Sequence, residues 1–456
     1  MIGASADAAT GGVAARTETY IDELVTGATA GLHGDEVLMV SAQGEYSDFV
    51  RFNRSLVRQA GSVEQLYAEV DLSSGARHAA MTLGLSFDPD LDRAALAAAL
   101  DRLRDQRRAL PDDPYFAYAT DAVSTSHTNP GRLPAPDELV DTVTAAAAGH
   151  DLVGIWAAGT QFSAFANSLG QRNWFASTTF NLDWSLFLPN NQAIKRSYAG
   201  FTWSPEAFRS KLDDQVRLLD VLSRPLVEAP PGEYRAFLTP KALSMVFAVL
   251  SWGGFGLRSH RSMSSPLAKL VTESRRLSPA VTLTEDTAGG VAPDFQDQGY
   301  RRPASVPLVV DGVHAGYLVS PRSAAEYGVD GNGASGHEAP ESIAMAPGSL
   351  EPADALTALG TGLYVANLWY LNYSDRANAR ITGMTRFASF WVEDGEIVGP
   401  VSPLRFDDTV YGLFGDRLEA LTSEAELVLD YYTYGGRSTT SDRLPGLLVS
   451  DMRFTL

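Results

Sequence analysis

The chain has 456 residues, 45% of them hydrophobic and 20% charged, with no cysteine; this describes a folded protein of more than one domain and excludes disulfides, thiolate metal ligands and a cysteine nucleophile. Asp and Glu number 55 against 36 Lys and Arg, a formal charge of −19 that repels polyanions, so direct nucleic-acid binding is not expected. No apolar run reaches the ~18 residues of a membrane span, and residues 1–20 lack a basic start followed by an apolar stretch, which predicts a cytoplasmic protein without membrane attachment.

Residues 1–16 are small and polar with no apolar period, which predicts a frayed start. Leu66, Ala68, Val70 and Leu72 alternate with polar residues, Ser73-Ser74-Gly75 turns the chain, and Ala79, Met81, Leu83, Leu85 and Phe87 alternate again, the pattern of a hairpin with one buried face. Leu96, Leu100, Leu103 and Leu110 then lie on one helical stripe. Strands followed by an amphipathic helix predict a mixed α/β layer. A second helix is announced by Ser204 as cap, Pro205 at its first position, and Phe208, Leu212, Val216, Leu219 and Leu222 at helical spacing. Pro225 stops it. Pro230-Pro231-Gly232 reads as a linker, so the boundary is placed near residue 228, giving domains 1–228 and 229–456.

Thr239-Pro240 opens a further helix by the same logic, but the residues from Ala242 to Leu250 are apolar on nearly every side, which predicts burial. Strand signals dominate the remainder: Val306, Leu308 and Val310 turn through Asp311-Gly312, and Phe390-Trp391-Val392 turns through Asp394-Gly395. The expected fold class is α+β, an N-terminal mixed α/β domain followed by a C-terminal, antiparallel β-rich domain with a buried helix. Gly328 to Gly348, rich in Gly, Ser and Pro, reads as a mobile loop.

An ordered set of short stretches carries a family pattern. Gly362-Leu363-Tyr364-Val365, Trp369-Tyr370-Leu371-Asn372, Thr382-Gly383-Met384-Thr385-Arg386, Phe390-Trp391-Val392-Glu393-Asp394-Gly395-Glu396-Ile397 and Gly399-Pro400-Val401 resemble the C-terminal domain of the TldD/PmbA family. Asp294 to Gly299 is similar to its "Asp-x-Glu-Gly" segment, Leu447 to Met452 to its closing strand, Ala166-Asn167-Ser168-x-Gly170 to its "Ala-Asn-Ser-x-Gly", and Arg51-Phe52-Asn53 with Gln59 to an early element. The resemblance implies an assembly of two subunits, or a homodimer, that processes peptides. It further implies that TldD-type subunits carry a zinc helix His-Glu-x-x-x-His, whereas PmbA-type (TldE) partners lack it.

A helical zinc site needs two imidazoles one turn apart and a carboxylate base. Aligned on the resemblance, those positions fall at the end of the buried helix on Ser251 and Gly256 as ligands and Trp252 as base; serine is a poor zinc ligand and glycine has no side chain. The expectation is therefore a zinc-free subunit that has no catalytic or metal-binding residues of its own and binds or presents peptide. Zinc is expected only in a TldD-type partner subunit, in a heterodimer, with self-association as the other arrangement. Two other readings stay open, a stand-alone hydrolase acting on a small peptide or peptide-derived metabolite, and a homodimeric binding or regulatory protein.

Rival motifs read as structure. His337-Glu338 is followed by Ala339-Pro340, which breaks a helix, and reads as a solvated loop. Asp330-Gly331-Asn332 with Glu341 has calcium-loop spacing but Ala334 and Ser335 where a ligand and a glycine are needed. Asp294 and Asp297 read as hydrated turn carboxylates, and the aromatics Tyr364, Trp369, Tyr370 and Tyr373 as core. Beside that aromatic group, Asn372, Asp375 and Arg376, together with His260, are the candidate peptide-cleft residues.

Overall fold

The computed structural model describes residues 6–455. Residues 1–5 of the expected frayed start lie outside the described residues. From Ala6 the chain is helical as far as Thr29, so the rest of that segment, 6–16, is the start of helix α1. Its seating comes from small residues that show little apolar period: Ala14 and Thr17 are buried in line with Ile21, Leu24 and Val25.

The N-terminal half forms one seven-stranded sheet. After α1 (Ala6–Thr29) come β1 (Val37–Asn53), β2 (Leu56–Ser74), β3 (Arg77–Leu85), α2 (Pro89–Ala109), β4 (Thr125–Asn129), α3 (Pro136–Ala146), β5 (Asp151–Asn167), β6 (Arg172–Phe187), β7 (Ala193–Gly200) and α4 (Pro205–Leu222). The strand order is β3-β2-β1-β5-β6-β4, with β7 also on β6, and every pair except β4 with β6 is antiparallel. Capping follows the residue logic: Ser204 accepts from Ala207 N at 3.1 Å, satisfying a donor that the first turn of α4 leaves orphaned.

The C-terminal half forms a thirteen-stranded sheet. Its elements are β8 (Gly232–Leu238), α5 (Pro240–Leu250), α6 (Leu257–Arg261), β9 (Leu283–Glu285), β10 (Val306–Val310), β11 (Val313–His314), β12 (Ser342–Met345), β13 (Gly362–Val365), β14 (Leu368–Asp375), β15 (Arg380–Thr385), β16 (Ser389–Glu393), β17 (Glu396–Pro400), β18 (Arg405–Thr409), β19 (Leu418–Leu429) and β20 (Ser441–Phe454). β20 is the spine, antiparallel to β8, β18 and β19 and parallel to β12. Against this sheet α5 buries Leu243, Val246, Phe247, Val249 and Leu250. The Gly328–Gly348 stretch, expected to be a mobile loop, is instead packed: Ala334 and Glu338 are buried, and the stretch contains β12. Among the described residues no helix is long and apolar enough to cross a membrane.

Contacts between the two halves include three that seat one sheet on the other. Ala388 and Phe390 share a core with Trp184, Phe208 and Leu212. The 294–299 turn docks on the N-terminal sheet, where Gln171 Nε2 donates to Gly299 O at 2.7 Å and Ser41 Oγ to Asp297 Oδ1 at 2.8 Å. Gly299 has φ +81, and a β-carbon there would stand 2.5 Å from the Phe165 ring, so both backbone shape and space call for glycine.

The third contact is the loop between β19 and β20, which sends Arg437 into the N-terminal sheet. Its guanidinium donates to Gly159 O at 3.1 Å, Thr179 O at 3.1 Å and Thr179 Oγ1 at 2.6 Å, and its backbone N–H donates to Glu45 Oε1 at 3.2 Å. Burial pulls its pKa down to about 10. A desolvated guanidinium is tolerable only when its donors are satisfied. We predict that Arg437→Ala lowers unfolding stability by about 3 kcal/mol, read as a lower urea midpoint; an unchanged midpoint would show that the sheets are held together elsewhere.

Candidate functional site: a cleft between the two sheets

The residues at the expected zinc positions are committed to structure. Ser251 ends α5 and donates its hydroxyl to Phe247 O at 2.8 Å, and Trp252 points outward, 53% exposed. Gly256 lies so close to Glu338 that a β-carbon would stand 2.7 Å from the Glu338 β-carbon. Glu338, expected in a solvated loop, is buried because it accepts from Arg258 N at 2.8 Å and from Ser320 N and Oγ at 3.0 Å, tying α6 to the chain beyond β11. None of these side chains fits a zinc ion, and among the described residues no group of three or more His, Asp or Glu is placed to hold a metal.

The four candidate cleft residues do not converge on a cavity. His260 is buried, with Nε2 2.9 Å from Gly254 O, so this nitrogen carries the proton; Ser265 Oγ lies 3.0 Å from the same nitrogen. Arg376 approaches the same 251–265 turn from outside, donating to Ser264 O at 2.7 Å and to Trp252 O. Asp375 accepts from Asn378 N and Nδ2, and Asn372 accepts from the next backbone N–H, Tyr373 N. Asp294 and Asp297 are likewise separate, Asp297 being taken by Ser41. Glu341, of the calcium-like loop, pairs with Arg302 at 2.7 Å.

Sequence reading missed a second imidazole. His314, distant in sequence, places its ring 5.7 Å from that of His260, with Tyr317 against both. Burial lowers both histidines, and the neighbouring His260 adds to the effect at His314, bringing it to about 4.

A different region gathers groups that could hold a ligand. Between β7 and α4 on one side and β8, α5, β13 and β19 on the other lies a cavity of about 720 Å3, within the ~300–1,000 Å3 usual for ligand clefts, which favour such junctions. Thr239 builds its floor: Oγ1 donates to Ala366 O at 2.7 Å and accepts from Ala242 N at 3.2 Å, fixing the start of α5 beside β13. That start carries Lys241 into the cleft opposite Lys195 of β7.

The two lysines differ. Lys195 is paired with Asp183 at 2.8 Å. Lys241 makes no hydrogen bond or ion pair among the described residues; its ammonium lies 4.8 Å from the Tyr431 ring centre, with Lys195 at 4.5 Å from the same ring. Burial lowers the Lys241 pKa. On neighbouring β20, burial pushes Asp442 up to about 7 although Lys241 pulls the other way. Next to the cleft, Arg386 stacks 3.8 Å over Trp369, and Lys195 lies 5.6 Å from Phe387. Tyr364 and Tyr373 are partly buried as expected of core aromatics, but Trp369 and Tyr370 are 42% and 77% exposed, because β14 pairs only with β15 and its register shifts between Trp369 and Asn372.

Fold and cleft define a class, an α+β protein of two sheets with a ligand-sized cleft between them, and the same fold occurs in solved structures. TldE from Thermococcus kodakarensis matches with TM-score 0.76 and 14% identity over 96% of this chain and 100% of its own. A proposed modulator of a DNA gyrase from Thermotoga maritima matches with TM-score 0.74 and 14% identity over 96% and 100%. One from Bacteroides thetaiotaomicron gives 0.71 and 16% over 96% and 99%. Residues 231–456 match the family described as the PmbA/TldA metallopeptidase C-terminal domain, so through this half the chain belongs to the PmbA/TldD family. No curated protein sequence matches it.

The histidine pair gives a pH prediction. Their folded pKa values lie below the ordinary 6.5, so the unfolded chain takes up these protons first; the stability they confer is complete above about pH 6.5 and is lost as pH falls through about 4. Urea midpoints at pH 7 and pH 4.5 should show a drop that is smaller in His314→Phe. An equal drop in that variant would remove the pair from the acid response.

Proposed function

We propose that this chain is a zinc-free, TldE-type subunit that binds peptide in the cleft between its sheets and works beside a zinc-bearing TldD-type peptidase. The observation that carries the reading is the cleft itself: it opens between the halves of a fold shared with TldE over 96% of the chain, and it carries the half-buried Lys241 ammonium, which makes no ion pair among the described residues. The residues at the expected zinc positions support a subunit without its own hydrolytic metal, since Ser251 and Gly256 are committed to structure and the exposed indole of Trp252 is no metal ligand or base.

Physically, an extended peptide in such a cleft gains from burial between two walls while its backbone amides find polar groups at the rim. In this reading the chain holds the peptide without cleaving it, since the residues at the expected zinc positions offer no metal ligand. Purified alone, the chain should bind a labelled unstructured peptide and leave it intact. Co-expressed with a TldD-type subunit, it should co-elute with that subunit in size exclusion with light scattering, and cleavage should appear and be abolished by a chelator. Cleavage by the lone chain, or failure to associate with any TldD-type subunit, would overturn the reading.

A further inference from the structure

Resting on that peptide-binding reading, we infer that the cleft takes hold of its peptide by a carboxylate seated on the Lys241 ammonium at the N-terminus of α5, with the Tyr431 ring and Lys195 forming the sides of the seat. Lys241 is a half-buried cation of the cleft whose ammonium makes no hydrogen bond or ion pair among the described residues. A ligand carboxylate would accept the hydrogen bonds that this ammonium does not make within the protein. The start of α5 adds a favourable partial positive charge at the same point. Lys195 is already held by Asp183, so it shapes the seat and leaves Lys241 to bind.

The surrounding charges set what kind of anion fits. Asp183, Asp430 and Asp442 face Lys241 together with Lys195. A doubly charged phosphate would be repelled by these three acidic neighbours more strongly than a singly charged carboxylate. Asp442 changes with pH: below about 7 burial keeps it protonated, and above that value it ionises and competes with the ligand for Lys241. Carboxylate binding therefore tightens as the pH is lowered from 8 to 6.

Two sources offer this carboxylate, the C-terminus of a peptide and an acidic side chain within it. Fluorescence anisotropy with three N-terminally labelled peptides separates them: penta-alanine with a free C-terminus, the same peptide amidated, and the amidated peptide with a central glutamate. At pH 6.5 we expect a carboxylate-bearing peptide to bind at least about tenfold more tightly than the uncharged amide. Preference for the free acid assigns the seat to the C-terminus, and preference for the amidated glutamate peptide assigns it to a side chain. In Lys241→Met the advantage should collapse to near unity, while Lys241→Arg should keep part of it. Circular dichroism and a thermal midpoint no lower than that of the parent check that Lys241→Met is folded. Equal binding of all three peptides, or an undiminished advantage in Lys241→Met, overturns the carboxylate seat and leaves the peptide-binding reading standing; binding of none overturns both.

Discussion

The structure depends on one buried guanidinium. Arg437 crosses from the C-terminal sheet into the N-terminal one, where carbonyls of β5 and β6 receive its protons and Glu45 of β1 receives its backbone N–H. Glu45 is itself held by Ser47 Oγ at 2.6 Å and Gln65 Nε2 at 2.7 Å, and Gln65 returns to the inserted loop through Gly435 O at 2.9 Å. A desolvated cation in this network resists small displacements, because each lost hydrogen bond leaves a charge in a low-dielectric interior. The loop that carries it also carries Tyr431, whose ring lies beside Lys195 and Lys241.

The cleft follows from that joint. Thr239 binds the start of α5 to the end of β13, and the Asp183–Lys195 pair holds the facing strand β7, so rigid elements present Lys241 and Lys195 to the same ring. In the proposed reading the half-buried Lys241 ammonium keeps its hydrogen bonds available for a ligand.

Local chemistry was readable from the sequence where one residue decides the outcome. Ser204 and Thr239 cap their helices as their types demand, Asp311-Gly312 and Asp394-Gly395 turn their hairpins, and the apolar run after Thr239 is the buried helix. The misses were long-range. Ala14 and Thr17 are too small to mark an apolar stripe, yet they seat α1. The Gly-rich stretch around Glu338 was read as mobile because the donors that bury this carboxylate, Arg258 and Ser320, lie far away in sequence. The candidate cleft residues were chosen for polarity beside aromatics, but Asn372 and Asp375 are used in local turns and Arg376 braces a loop. The lysine pair left no motif because β7 and α5 meet only in the folded chain.

Hydrogen exchange read by mass spectrometry tests the central claim, that peptide is bound between the sheets, most directly. With an unstructured peptide at saturating concentration, amides in 193–200, 236–243 and 422–426 should gain protection together, since residues of these segments line the cleft from both sheets. Protection confined to other surfaces, with these three segments unchanged, would contradict the account.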